Sequence, residues 1–156
     1  MNLLPFEKYV IRTNMSLEDL HLSIDQSCAP FKFLNVSGSL NKPLFGKRTE
    51  NNFKLYRAIR YRNSFLPIAF GQITDNGNEV LVEITLKMNL AVMIFMAFWM
   101  SIASVSELAL VLSGTEELSF SSLWLLGPGY LLMQAGFWFE VPKLKKIIRN
   151  VVPERN

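Results

Sequence analysis

The chain has 156 residues, half of them hydrophobic, with 16 Lys and Arg against 13 Asp and Glu and a mean hydropathy of +0.22. That is room for one compact domain, or for a smaller domain and a membrane element. One Cys and one His exclude an intrachain disulfide and leave no ligand set for a zinc site, and the opening MNLLPFEKYVIRTN lacks the long apolar core of a secretory signal.

KYVIRTN, residues 8–14, alternates in polarity and predicts a first strand. Ser16 then opens SLEDLHLSIDQSC, with Asp19 three residues on where a capping box has Glu or Gln. Leu17, Leu20, Ile24 and Cys28 repeat at helical spacing, so a short amphipathic helix follows; His21 lies on it without a nucleophile pattern. From Phe31 the period changes to two. FKFLNVSG, LFGKRT, FKLYRAIRYR, IAFGQIT and EVLVEITLKM read as strands separated by turn-rich segments. Asn76-Gly77 predicts a hairpin with a type I′ turn. In the last strand Val80, Val82, Ile84 and Leu86 share one face, which predicts an antiparallel sheet packed on one side and solvated on the other.

Residues 88–106 carry no charge, and after Glu107 the apolar run continues to Leu112. A second uncharged run covers residues 118–139, with only SGTEE between the two. About 20 helical residues cross a ~30 Å hydrocarbon core, so the pattern predicts a two-helix transmembrane hairpin with Trp138 near an interface and Trp99 packed inside. The connector carries Glu116 and Glu117, whereas Lys87 precedes the first run and Lys143, Lys145, Lys146 and Arg149 follow the second. The positive-inside rule then leaves both termini in the cytoplasm. Gly127, Pro128 and Gly129 predict a kink, and Gly127, Gly129 and Gly136 are small enough to admit another helix. EVPKLKKIIRNVV gathers Val141, Leu144, Ile147, Ile148, Val151 and Val152 on one helical face, suited to the anionic inner leaflet or to the β domain.

Between Lys42 and Arg62 there are seven basic residues and one acid, Glu50. As one strand, FKLYRAIRYR places Lys54, Tyr56, Ala58, Arg60 and Arg62 on one face and Phe53, Leu55, Arg57, Ile59 and Tyr61 on the other. Arg57 thus falls on the apolar side and needs an acceptor. Two readings follow: an internal carboxylate or backbone carbonyls meet it, or the sheet curls around a small anionic ligand, for which Arg with neighbouring Tyr supplies bidentate contacts to oxygens and stacking. Arg60, Arg62 and Lys54 also suit lipid phosphates. No G-x-S-x-G, Gly-rich phosphate loop or H-E-x-x-H motif is present, so no enzyme, metal or cofactor is expected.

The run from Phe45 to Ile73, with YRNSFLP at its centre, and the opening PFEKYVIRTNMSLEDL resemble a group of small bacterial proteins that carry YRNSFLP before a two-helix membrane segment. A looser similarity is to the two-transmembrane, β-rich effectors of antiphage systems that sense cyclic oligonucleotides, although in those the hairpin precedes the β-barrel. That second resemblance implies a cyclic nucleotide or other phosphate ligand bound by Tyr56, Arg57, Arg60, Tyr61 and Arg62, and self-association of the helices in antiviral defence.

The expected protein is therefore an α+β membrane protein of the bacterial inner membrane. It has an antiparallel β-rich cytoplasmic domain (residues 1–87) with one short helix, a transmembrane helical hairpin (88–139) and a basic amphipathic cytoplasmic tail (140–156). Two functions are expected: a sensor, in which an anionic ligand gates the membrane helices as a homo-oligomer, or a non-enzymatic accessory or structural protein that binds lipid headgroups or a partner subunit. No nucleic acid polymer is expected as a partner.

Overall fold

Alternation of buried and exposed side chains organises the sheet. In the computed structural model, which describes residues 4–30, 42–114 and 120–155, Val80, Val82, Ile84 and Leu86 of β6 (Val80–Lys87) are buried while Glu83 and Lys87 are exposed. The same phase runs through β1 (Phe6–Thr13), β3 (Leu44–Arg48), β4 (Asn52–Arg57) and β5 (Ile68–Asp75), which bury Ile11, Leu44, Phe53, Leu55, Ala69 and Ile73. With β2 (Cys28–Pro30) the sheet has six strands in the order β1-β6-β5-β4-β3-β2. Helix α1 (Leu17–Ser27) carries the chain from one edge of the sheet to the other. Its Ser16 cap holds as expected, with the hydroxyl accepting from the Asp19 amide at 3.1 Å; the Asp19 carboxylate meets that hydroxyl at 2.7 Å. Leu20 and Ile24 are fully buried.

Three expectations about the sheet are revised. It is mixed rather than purely antiparallel, because β2 runs parallel to β3; a short strand delivered by a crossover need not follow the hairpin sense. The β5–β6 hairpin forms, but around residues 76–79, with Gly77 alone at positive φ (+79°) and its amide donating to Asp75 Oδ1 at 2.8 Å. A type I′ turn needs two such residues. The strand expected over FKLYRAIRYR ends at Arg57, so Arg60, Tyr61 and Arg62 belong to the β4–β5 loop. The expected strand FKFLNVSG lies outside the described residues.

The two-helix transmembrane hairpin is the main correction. Among the described residues one helix is long and apolar enough to cross a membrane: α2 (Leu90–Leu112), on which Met96 and Ala103 are the buried residues. Trp99 on it is exposed rather than packed inside. Helix α3 (Phe120–Trp138) is continuous through Pro128, yet its last turns belong to the domain core. Met133, Gln134 and Phe137 are buried there, Phe137 completely. A fully buried Phe contributes roughly 1.5–3 kcal/mol, so an uncharged run read as lipid-facing is here partly protein-facing. The apolar face of helix α4 (Val141–Val151) packs on the domain, one of the two expectations for the tail: Val141, Leu144, Ile148 and Val151 are buried in the same core. Ser23 Oγ donates to the Val151 carbonyl at 2.7 Å and Lys145 pairs with Glu7 at 2.7 Å, fastening α4 to α1 and β1.

Candidate functional site

The β4–β5 loop returns the chain across the sheet end from which α2 departs. Ile68, the first residue of β5, is in register with Lys87, the last of β6. Between Arg57 and Ile68 the loop is pinned to the end of α3 and the start of α4. Asn63 Nδ2 donates to the Gly136 carbonyl at 2.9 Å, and Asn63 Oδ1 accepts from the Phe65 amide at 2.9 Å. The Phe65 ring lies so close that a Cβ added at Gly136 would fall 2.8 Å from its Cδ2. Gly136 thus admits an aromatic side chain, where the sequence suggested another helix.

Beside this contact sits a charged cluster. The inward phase of β4 that buries Phe53 and Leu55 brings Arg57 to the sheet end, where it faces Glu140 at the start of α4. Arg57 Nη2 and Nε lie 2.5 and 2.8 Å from Glu140 Oε2. Oε1 accepts from the Tyr61 hydroxyl at 2.5 Å and from Lys143 at 2.8 Å. Arg57 Nη2 also reaches the Tyr61 oxygen at 2.7 Å. The Glu140 side chain is 4% exposed and that of Arg57 17%. Burial pushes the Glu140 carboxyl up, but hydrogen bonds from Lys143, Tyr61 and Arg57 outweigh it and hold the group below its ordinary range. Tyr61 moves the other way, raised by burial and by its hydrogen bond to Glu140.

Chemically this is a clamp. A carboxylate held ionised by several donors is a poor general acid or base, and a Tyr raised above its usual value is no activated nucleophile. Of the expected ligand residues, the structure brings Arg57 and Tyr61 together. Tyr56 points to the opposite sheet face, where Lys54 lies over its ring at 5.6 Å. Arg60 and Arg62 are exposed on the loop and have no ion pair among the described residues. Sequence reasoning missed Glu140, Lys143, Asn63 and Gly136. One signal for Glu140 was present: it is the only acid between residues 118 and 153. Among the described residues no three His, Cys, Asp or Glu side chains gather as metal ligands. The chain matches no protein-family model, no curated protein and no solved structure.

Proposed function

We propose that this is a non-enzymatic membrane-anchored protein of the bacterial inner membrane, with α2 lodged in the lipid and the α+β domain on the cytoplasmic surface. The surface of α2 carries the reading. Leu90, Ile94, Phe95, Phe98, Ile102, Val105, Leu108 and Leu112 are 52–78% exposed, on a helix of 23 residues that rises ~34 Å at 1.5 Å per residue. A soluble protein rarely leaves so much contiguous apolar surface in water. Basic residues at the root of α2, Lys87 together with Arg60, Arg62 and Lys143 of the adjoining loop and helix, support a cytoplasmic domain.

Of the two expected functions, the accessory or structural one has the better support. A ligand gating the helices through Arg57 and Tyr61 would have to displace Glu140, which already engages both. Membranes from cells expressing the chain should keep it through an alkaline carbonate wash. Replacing Phe98 and Ile102 together by Lys should release it, because each charge in mid-membrane costs about 2.5–3.5 kcal/mol. Release of the unaltered chain by carbonate would reject the anchor.

A further inference from the structure

The sheet end from which α2 departs carries a second set of features that neither the clamp nor α2 explains. Phe139, in the turn between α3 and α4, is 73% exposed, and Leu4, just before β1, is 68% exposed. Phe6 at the start of β1 is in register with Lys87, so Leu4 also lies at this end. Arg60 and Arg62 flank Tyr61, whose hydroxyl bonds Glu140 next to Phe139, and Lys143 and Lys146 are exposed on the first turns of α4. Glu140, the carboxylate among them, is engaged by Arg57 and Lys143, which leaves Arg60, Arg62 and Lys146 uncompensated by it. Exposed apolar residues within a basic collar form the pattern of a monotopic membrane contact.

We infer that this rim docks on anionic lipid headgroups, with Arg60 and Arg62 facing phosphates and Phe139 entering the acyl boundary. The inference rests on the membrane anchoring proposed above and adds a partner of defined chemistry. The occupant is lipid rather than a soluble anion because the rim is continuous with the root of α2: Lys87 ends β6 and Leu90 begins the apolar helix. Each basic side chain near an anionic leaflet strengthens surface association about fivefold, and salt weakens it within a Debye length.

The full chain is to be reconstituted in nanodiscs of phosphatidylcholine, or of phosphatidylcholine with 30% phosphatidylglycerol, and treated with trypsin. Lys47, exposed toward the opposite end of the sheet, serves as the internal reference. Cleavage after Arg60 and Arg62, relative to Lys47, should slow by on the order of tenfold in anionic discs, and 0.5 M salt should abolish the difference. In the Arg60→Gln/Arg62→Gln variant the thermal stabilisation given by phosphatidylglycerol should shrink, while the melting temperature in neutral discs stays unchanged. Equal cleavage in both lipids overturns the inference. So does protection in neutral discs by glycerol phosphate alone, which would assign the site to a soluble anion. Failure of the chain to enter neutral discs would instead count against α2 as the anchor.

Discussion

At the scale of single residues, Arg57 and Glu140 decide how the end of the sheet is closed. A buried guanidinium and a buried carboxylate are each expensive alone, and removing one partner commonly costs 3–5 kcal/mol. Arg57→Ala should lower unfolding stability by about 3 kcal/mol, the low end of that range, because Tyr61 and Lys143 still reach the carboxylate. Denaturant titration in neutral detergent measures it. The pH dependence has two limbs. The folded pKa of Glu140 is lowered, so its contribution is complete above the unfolded value of about 4.3 and is lost as pH falls through the folded one. The folded pKa of Tyr61 is raised, so its contribution is complete below about pH 10 and is lost as pH rises further. Glu140→Gln should shrink the acid limb of a plot of stability against pH, to which Asp25, lowered by its Arg48 hydrogen bond, also contributes, and Tyr61→Phe the alkaline limb, which it shares with Tyr9, raised by burial. The sequence showed that Arg57 falls in the buried phase and needs an acceptor. It did not show which, because Glu140 lies 83 residues away and no local periodicity reports a partner at that range.

Among the elements, the loop YRNSFLP and α3 define each other. Tyr61, Asn63 and Phe65 all contact the end of α3 or the start of α4, and Pro67 is buried. The motif therefore has a structural reason to exist, with Arg62 and Ser64 left exposed. Gly136 is the tightest point. Ala in place of Gly gains about 1 kcal/mol of helix propensity, whereas overpacking costs about 1–3 kcal/mol. Because Phe65 stands in the way, Gly136→Leu should destabilise by about 2 kcal/mol or more, and Phe65→Ala should relieve part of that loss in a double-mutant cycle. Gly127 has nothing within 4 Å of an added Cβ, so Gly127→Ala should be neutral or stabilising. Thermal melts of the four variants test the contrast. The same contact shows why α3 was misread. An uncharged run records that a helix avoids water, and says nothing about whether lipid or a folded domain covers it. The strand phases of β6 and β4 and the Ser16 cap were legible because each is set by neighbours a few residues away.

For the whole molecule, the division of labour between domain and anchor makes a further prediction. The core draws on all four helices and the inner face of the sheet, but among the described residues of α2 it buries Met96 and Ala103, with Val92 packed against it. Most of α2 can therefore be made polar without opening the core, provided Val92, Met96 and Ala103 are kept. Ile94, Phe98, Ile102, Val105 and Leu108 are each more than half exposed and recur at three- and four-residue spacing along one side of the helix. Replacing these five with Glu and Lys in alternation preserves helix propensity and removes the apolar stripe. The variant should stay in solution without detergent, keep the circular dichroism of an α+β domain, and unfold cooperatively with a midpoint close to that of the parent in detergent. Truncation after Glu140 is the opposing case. It deletes Leu144, Ile148 and Val151, buried to 0, 1 and 6% exposure, and the loss of several such side chains at about 2–5 kcal/mol each exceeds the stability of an ordinary domain. The truncated chain should fail to fold in any detergent, because the C-terminal helix is a wall of the core and not a free tail.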